Sequence, residues 1–277
     1  MIVHLVDGTY ELFRQYYGRL RIKSKTPRPL GAAAGVLHSL LEMIEQGATH
    51  LGVATDHVIE SFRNDLWPDY KTGEGIDYAL ARQFGPLEES LAAMGIAVWP
   101  MVDLEADDAL ASAARLAAED PTVEKVCVWA NDKDLAQCVR GDRVVQVVRR
   151  SKEIRNADAV EAKFGVPPEL IPDLLALVGD AQDGYPGIQG IGAVSAAKML
   201  RRYGPIESFP PELLGDRRER ALLFKNLATL RTDAPLFGNV EEVRWRGPLE
   251  GFAEWTDRMN DSGLLERSVK AAAFLKE

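Results

Sequence analysis

The sequence predicts an α/β fold in which a mostly parallel β-sheet, flanked by helices, is followed by a helical domain. In the first half of the chain, short apolar runs rich in β-branched residues alternate with longer segments whose apolar residues recur at helical spacing. This strand–helix–strand alternation is typical of a parallel sheet. From about Ala159 the strand pattern stops and only helical patterns follow. We therefore expect a first domain at residues 1–160 and a second, helical domain at residues 161–277.

The individual elements follow from the same patterns. The predicted strands are Ile2–Val6, His50–Ala54, Ile96–Trp99, Val123–Ala130 and Val144–Val148. The predicted helices are Ala32–Glu45, Phe84–Met94, Asp107–Ala118, Pro168–Gly179, a segment ending at Tyr203, and Pro210–Arg231. The stretch from Phe237 onward has no clear pattern, and the sequence leaves open whether it packs back on the first domain.

Composition and charge restrict the possible functions. The chain has no run of eighteen apolar residues and no basic, apolar leader at its N-terminus, so we expect no membrane partner. It has two cysteines, which favours a reduced, cytoplasmic protein. We also expect a monomer. The net charge of -9 argues against a nucleic-acid partner. That argument weakens if acidic residues bind metal ions, because basic residues can then form local patches.

Two groups of basic residues are candidates for such patches. They are Arg19, Arg21, Lys23, Lys25 and Arg28 in the first group, and Arg201, Arg202, Arg217, Arg218 and Arg220 in the second. A run of charges is more often a solvated face than a binding site, so neither group indicates a function by itself.

Acidic residues fall at the ends of several predicted strands. Asp7 ends the first strand, and Asp56 lies just past the second. Because the carboxyl ends of parallel strands meet at one edge of a sheet, where ligands bind, we expect these side chains to lie close together. Other acids follow the fourth strand, begin a predicted helix, or lie in a loop of the helical domain. The predicted carboxylate cluster is Asp7, Asp56, Glu105, Asp107, Asp108, Asp132, Asp134, Asp180 and Asp183.

Each of these acids alone has an ordinary interpretation as a turn former or a helix cap. Together they do not, since two carboxylates about 4 Å apart repel by about 4 kcal/mol at an effective dielectric constant near 20. A cluster of this size therefore requires cations. Oxygen ligands with no histidine or cysteine in the pattern indicate Mg²⁺ or Mn²⁺ rather than zinc.

A glycine-rich hairpin precedes the helix that ends at Tyr203. Its glycines allow positive φ angles and close approach of the backbone to a ligand, and the following helix N-terminus directs N–H groups at an anion. A nucleotide-binding loop is the usual alternative, but here a helix precedes the hairpin instead of a strand. We therefore predict a helix–hairpin–helix that binds a phosphate backbone. The predicted DNA-binding residues are Gly187, Gly190, Ile191, Gly192, Ser195 and Lys198.

These motifs together resemble the bacterial 5′→3′ exonuclease and flap endonuclease family, which includes the 5′-nuclease domain of bacterial DNA polymerase I. The motifs are VDG at 6–8, SFRNDLWPDYK at 61–71, LEADDALA at 104–111, ANDKDLAQ at 130–137 and GDAQDGYPGIQGIG at 179–192. They occur in the family's order and extend over roughly residues 1–205. The chain looks like a stand-alone member of this family.

The resemblance implies a PIN-like (resolvase-like) nuclease domain with a helix–three-turn–helix DNA-binding module. It implies hydrolysis of DNA phosphodiesters at 5′ ends and 5′-flap junctions by two divalent ions, Mg²⁺ or Mn²⁺, with K⁺ as a candidate ligand of the hairpin. By position, the first ion's ligands are Asp7, Asp56, Glu105 and Asp107. The second ion's ligands are Asp108, Asp132, Asp134, Asp180 and Asp183, some of them through water.

The resemblance also assigns catalytic residues. Lys71 and Arg63 are expected to neutralise charge on the scissile phosphate, and Tyr70 to stack on an unpaired base. The family usually has a second basic residue three positions after the lysine, in a segment that arches over the active site. This sequence has Glu74 there, which should weaken phosphate binding, and Arg82 is a candidate to compensate.

Two alternatives remain open. The first is a structure-specific DNA-binding protein with weakened or lost nuclease activity, which Glu74 alone supports. The second is a small PIN-type ribonuclease, which would share the carboxylate cluster but which the hairpin and the chain length disfavour.

Overall fold

The computed structural model describes residues 1–21 and 30–274 and contains a six-stranded sheet. Its strands are β1 (Ile2–Asp7), β2 (His50–Asp56), β3 (Ala97–Met101), β4 (Lys125–Trp129), β5 (Val144–Val147) and β6 (Ile154–Arg155). The strand order is β3-β2-β1-β4-β5-β6. All neighbouring pairs are parallel except β5 and β6, which are antiparallel. The predicted α/β fold with a mostly parallel sheet is confirmed.

Helices make up most of the remaining chain. They are α1 (Gly8–Arg21), α2 (Gly31–Glu45), α3 (Phe62–Leu66), α4 (Tyr78–Ala81), α5 (Phe84–Ala93), α6 (Ala106–Glu119), α7 (Ala157–Phe164), α8 (Ile171–Val178), α9 (Ala193–Tyr203), α10 (Pro211–Leu214), α11 (Arg218–Ala228), α12 (Phe252–Arg258) and α13 (Ser262–Phe274). Short 3-10 helices lie at Asp134–Cys138, Pro168–Leu170, Ile206–Ser208, Gly215–Arg217 and Val240–Val243. Within residues 1–21 and 30–274, no helix is long and apolar enough to cross a membrane.

Apolar side chains cover both faces of the sheet. Leu51 and Val53 of β2 belong to one core, which also contains α2 and α5. Val3 and Leu5 of β1 belong to a second core on the opposite face, built on α6. Every residue of β2 is buried, as expected for a central strand enclosed between layers of helices.

The C-terminal segment packs back on the sheet domain, which answers the question that the sequence left open. The indole Nε1 of Trp245 donates a hydrogen bond to the carbonyl oxygen of Met94 at 2.8 Å. Phe252, Trp255 and Leu264 then join the core that contains α2. The last helices therefore belong with the first half of the chain.

Among the differences between the predicted elements and the structure, two lie at α1 and at residues Pro210–Arg231. Helix α1 was not predicted, and it begins at Gly8 directly after β1, where the carboxylate of Asp7 accepts a hydrogen bond from the backbone N–H of Tyr10. The continuous helix predicted over Pro210–Arg231 is wrong. Gly215 has a φ of +55°, which ends α10 and separates it from α11.

Helices α7 to α11, which we call the helical module, pack around a core of their own. Ile171, Leu175 and Phe224 lie inside it. Tyr70 and Ala136, from segments next to the sheet, belong to the same core. The module is therefore packed directly on the carboxyl edge of the sheet.

Candidate active site

The carboxyl ends of β2, β1 and β4 lie side by side and form the edge that we call the rim. Asp7 and Asp56 are the last residues of β1 and β2, and each is 8% exposed. The carboxylate of Asp56 accepts a hydrogen bond from the backbone N–H of Ala106 at 2.8 Å. This contact fixes the N-terminus of α6, and with it Glu105 and Asp107, against the rim.

Glu105 precedes α6 and is held by several donors. Its Oε1 accepts hydrogen bonds from Ser61 Oγ at 2.7 Å and from Arg63 Nη1 at 3.1 Å. Its Oε2 lies 2.6 Å from Lys71 Nζ. Burial by itself would raise the pKa of Glu105, but Lys71 and Arg63 bring that pKa below its ordinary value. Glu105 is therefore ionised and fixed in position.

Arg63 and Asp108 form a buried ion pair with each other. Arg63 is 1% exposed and Asp108 is fully buried. The guanidinium donates from Nη1 to Asp108 Oδ2 at 2.7 Å and from Nη2 to Asp108 Oδ1 at 2.8 Å. It also donates to the carbonyl oxygens of Leu227 and Thr229, where α11 ends. The predicted phosphate contact of Arg63 and the predicted metal contact of Asp108 do not match this arrangement, because each side chain is occupied by the other.

Tyr70 also differs from its predicted role. Its side chain is 3% exposed, and its hydroxyl donates to Glu105 Oε2 at 3.4 Å. A buried ring in the core of the helical module is not available to stack on a base. Lys71, in contrast, is partly exposed, and its ammonium lies at the rim, 2.6 Å from Glu105 Oε2.

The loop between α8 and α9 brings Asp180 and Asp183 to the rim from the helical module. The backbone N–H of Lys71 donates to the carbonyl oxygen of Asp183 at 3.1 Å, and Lys71 Nζ lies 3.8 Å from Asp183 Oδ1. Gly184, with a φ of +81°, lies so close to the chain that an added Cβ would be 2.0 Å from the carbonyl oxygen of Asp69. This close approach holds the loop against the Asp69–Lys71 segment.

Asp132, Asp134 and Asp180 form a cluster with the geometry of a cation site. One carboxylate oxygen from each lies within 4.8 Å of the others. The Oδ1 atom of Asp134 is buried and, among the described residues, has no hydrogen-bond partner. An unpaired buried carboxylate oxygen is costly unless a cation or water satisfies it. The three residues therefore fit a hard divalent ion.

The electrostatic state of the rim supports the same interpretation. Burial, followed by the charges of Asp56 and Asp132, raises the pKa of Asp7 to about 7. Burial and the neighbouring charge of Asp180 raise the pKa of Asp183 to about 7. Burial, then Asp132 and Asp7, raise the pKa of Asp107 well above its usual range. Carboxylates that are buried beside one another in this way bind protons unless metal ions neutralise them.

The predicted hairpin residues lie at the start of α9. Gly187 and Gly190 have φ angles of +70° and +84°. Gly192, Ser195 and Lys198 are exposed, and Ile191 is partly buried against the module core. The hydroxyl of Ser195 accepts a hydrogen bond from the backbone N–H of Gly192 at 3.0 Å and so caps the helix. The face that contains Ser195 and Lys198 is open to a ligand.

Three residues near the rim were not predicted. Ser61 donates to Glu105, and Lys133 Nζ lies 2.7 Å from Asp180 Oδ2. Gln146, fully buried in β5, donates to the carbonyl oxygen of Asp132. Signals for two of them were present in the sequence: Lys133 stands between two aspartates, and Gln146 is a polar residue within an apolar strand.

The structure describes the side chains of the second predicted group of basic residues but not those of the first. In the second group, Arg201 donates to the carbonyl oxygen of Gly165 at 2.6 Å and Arg217 donates to that of Gln189 at 3.2 Å. Arg218 donates to the carbonyl oxygen of Phe209. These arginines stabilise loops of the helical module. The first group, Arg19, Arg21, Lys23, Lys25 and Arg28, lies outside the part of the chain whose side chains the structure describes.

Family comparison agrees with this geometry. The model of the N-terminal resolvase-like domain of 5′-3′ exonucleases matches residues 2–165, and that of the C-terminal SAM fold of the same family matches residues 166–250. DNA polymerase I of Pseudomonas aeruginosa is 33% identical over 261 residues, which are 86% of this chain and 28% of that protein. The 5′-3′ exonuclease of Buchnera aphidicola is 29% identical over 263 residues, which are 88% of this chain and 86% of that protein.

The chain spans between 25% and 29% of the length of four of the DNA polymerase I relatives that it matches. Among solved structures, the flap endonuclease of bacteriophage T5 in a pseudo-enzyme–product complex with DNA and metal ions has a TM-score of 0.61 and 17% identity, with all of both chains covered. The catalytic core of Rad2 with DNA substrate has a TM-score of 0.60 and 14% identity, covering 98% of this chain and 91% of that one. This chain belongs to the 5′-3′ exonuclease family.

Proposed function

We propose that this protein is a 5′ nuclease that hydrolyses DNA phosphodiesters at 5′ ends and at 5′-flap junctions. The observation that carries the proposal is the convergence at one rim of carboxylates from three strand ends, from the start of α6 and from the loop of the helical module. Related proteins support the substrate class, since their names and complexes are those of 5′-3′ exonucleases and of flap endonucleases with DNA.

The carboxylates divide into two sets that fit two divalent ions, Mg²⁺ or Mn²⁺. Asp7, Asp56, Glu105 and Asp107 would hold the first ion. Asp132, Asp134, Asp180 and Asp183 would hold the second, and Asp108 is not part of either set because Arg63 occupies it. When bound, such ions supply a water of lowered pKa and stabilise charge on the phosphate oxygens.

The protein's own groups would position the DNA. Lys71 is the cation of the rim best placed to contact a phosphate, because its side chain is 26% exposed and its ammonium lies between Glu105 and Asp183. Its contacts bridge the sheet domain and the helical module. Cleavage should therefore require the two to be packed together.

The hairpin would bind the duplex part of the substrate. The exposed N-terminus of α9 offers N–H groups, and Lys198 offers a cation to the same backbone, so contacts here would be independent of base sequence. K⁺ at the hairpin carbonyl groups remains part of the proposal, and titration of duplex binding with KCl against tetramethylammonium chloride at equal ionic strength tests it.

Cleavage assays with Mg²⁺ test the proposal directly. The substrates are a DNA 5′ flap, a DNA duplex with a recessed 5′ end, and single-stranded RNA. The wild type should cut the two DNA substrates, while Asp107→Ala should bind them and not cut. Binding of DNA without cleavage by the wild type would favour a non-catalytic DNA-binding protein, and preferential cleavage of RNA would favour a ribonuclease.

A further inference from the structure

Lys133 lies among the carboxylates of the proposed second metal site. Its ammonium is 2.7 Å from Asp180 Oδ2, and its neighbours in the sequence are Asp132 and Asp134. The Lys133 ammonium therefore stands beside the carboxylates whose oxygens lie within 4.8 Å of one another.

Both oxygens of Asp180 already have a partner. Oδ2 of Asp180 contacts the ammonium, and Oδ1 accepts a hydrogen bond from the backbone N–H of Gln182 at 3.0 Å. Asp134 Oδ1, in contrast, is buried and has no partner among the described residues. The cluster thus contains one cation, which is a lysine side chain rather than a free ion, and one carboxylate oxygen without a partner among the described residues.

We propose that Lys133 is a tethered cation that competes with the second divalent ion for Asp180 and thereby sets the affinity of that site. The inference rests on the proposed function, because it assumes that Asp132, Asp134 and Asp180 bind a metal ion. Lys133 is suited to such an exchange. Its side chain is 33% exposed, and a lysine stem is flexible enough to move its ammonium into solvent when an ion arrives.

Lys133 should therefore stabilise the metal-free protein but weaken the binding of the second metal ion. Without metal, Lys133 offsets the repulsion among the carboxylates and stabilises the folded chain. With metal, its displacement must accompany binding of the second ion, so its presence weakens that binding. A lysine that only supported the local structure would produce the first effect without the second.

Calorimetric titration with MnCl₂, in the absence of DNA, measures the second effect. The proteins to compare are the wild type, Lys133→Met, Lys133→Arg and the control Lys270→Met, which removes an exposed lysine of α13. Lys133→Met should bind the weaker of two Mn²⁺ ions at least about tenfold more tightly. In this variant the ion no longer has to displace a unit positive charge that interacts strongly with Asp180 at close range. Lys133→Arg and Lys270→Met should remain within about twofold of the wild type.

Thermal unfolding of the same proteins provides the second readout. In EDTA, Lys133→Met should unfold at a lower temperature than the wild type, and on addition of Mn²⁺ it should gain more than the wild type gains. If the wild type binds two Mn²⁺ ions and Lys133→Met binds them equally or more weakly, the proposed role of Lys133 is overturned. The proposed function is not affected by that result. Failure of the wild type to bind Mn²⁺ would overturn the proposed function as well.

Discussion

Arg63 and Asp108 are joined by two parallel hydrogen bonds of 2.7 and 2.8 Å in the interior of the protein. The same guanidinium donates to Glu105 at the rim and to the carbonyl oxygens of Leu227 and Thr229 at the end of α11. Bidentate pairing of arginine with a carboxylate is among the strongest side-chain interactions in proteins. The pair therefore connects the end of α11, in the helical module, to the first turn of α6, which Glu105 precedes.

Asp108→Asn tests whether this acid has a structural role. The change removes the bidentate carboxylate partner of the buried Arg63 and leaves Glu105 as its carboxylate partner, so the free energy of unfolding in EDTA should fall by about 3–5 kcal/mol. Its neighbour provides the matched control. Asp107→Asn removes a repelled carboxylate and should stabilise the metal-free protein. Urea titrations of both variants decide the matter, and an unchanged or higher stability for Asp108→Asn would return Asp108 to the metal site.

Gly184→Ala tests the contact between the helical module and the segment that carries Lys71. The added Cβ would lie 2.0 Å from the carbonyl oxygen of Asp69, so the loop that carries Asp183 must move. Gly190→Ala is the matched control, because its φ of +84° is similar and nothing lies within 4 Å of the new Cβ. Both changes should cost about 1–2 kcal/mol of backbone strain.

Gly184→Ala should lower the free energy of unfolding by more than this strain and should also lower the affinity for Mn²⁺. Gly190→Ala should do neither. The measurements are urea unfolding and calorimetric titration with MnCl₂. If the two variants lose the same stability and both keep wild-type Mn²⁺ affinity, the close contact at Gly184 does not position the rim.

The stability of the metal-free protein should depend on pH through the rim carboxylates. The pKa of Asp7 is raised to about 7 in the folded protein from an ordinary value of 3.8, so the folded state binds a proton that the unfolded state releases. The free energy of unfolding contributed by Asp7 therefore falls as pH rises from about 4 to about 7. Asp7→Asn should remove this part of the slope in EDTA, as measured by urea unfolding at intervals across that range.

Metal ions should reverse this dependence, since they bind ionised carboxylates. The increase in melting temperature on adding Mg²⁺ should be larger at pH 8 than at pH 5.5. An increase of the same size at both pH values would show that the ion binds away from these acids.

Lys198→Met tests the hairpin. It removes a cation from the exposed face of α9 without touching the rim, so duplex DNA should bind more weakly. Loss of one phosphate contact should reduce the slope of log affinity against log salt concentration by about 0.9. Fluorescence anisotropy over a range of KCl concentrations measures both quantities. Lys270→Met serves as the control, and equal slopes for the two variants would argue against a phosphate contact at Lys198.

The sequence predicted those features that depend on local pattern. Strand ends are marked by the change from apolar residues to Asp7 and Asp56, and parallel sheets bring such ends together. It did not predict α1, because that helix follows β1 without a turn. Nor did it predict the pairing of Arg63 with Asp108, because the partners that bury Arg63 lie up to 166 residues away in the chain. Burial of this kind depends on how the helical module packs, which no local spacing encodes.

Carboxylates from the sheet and from the helical module should together form one centre for divalent metal ions. Anomalous X-ray diffraction from crystals grown with MnCl₂ tests this expectation most directly. We expect two Mn²⁺ peaks at the rim, one bounded by Asp7, Asp56, Glu105 and Asp107, and one by Asp132, Asp134, Asp180 and Asp183, with the Lys133 ammonium no longer on Asp180. Absence of Mn²⁺ from the rim, or Mn²⁺ bound only elsewhere on the protein, would contradict it.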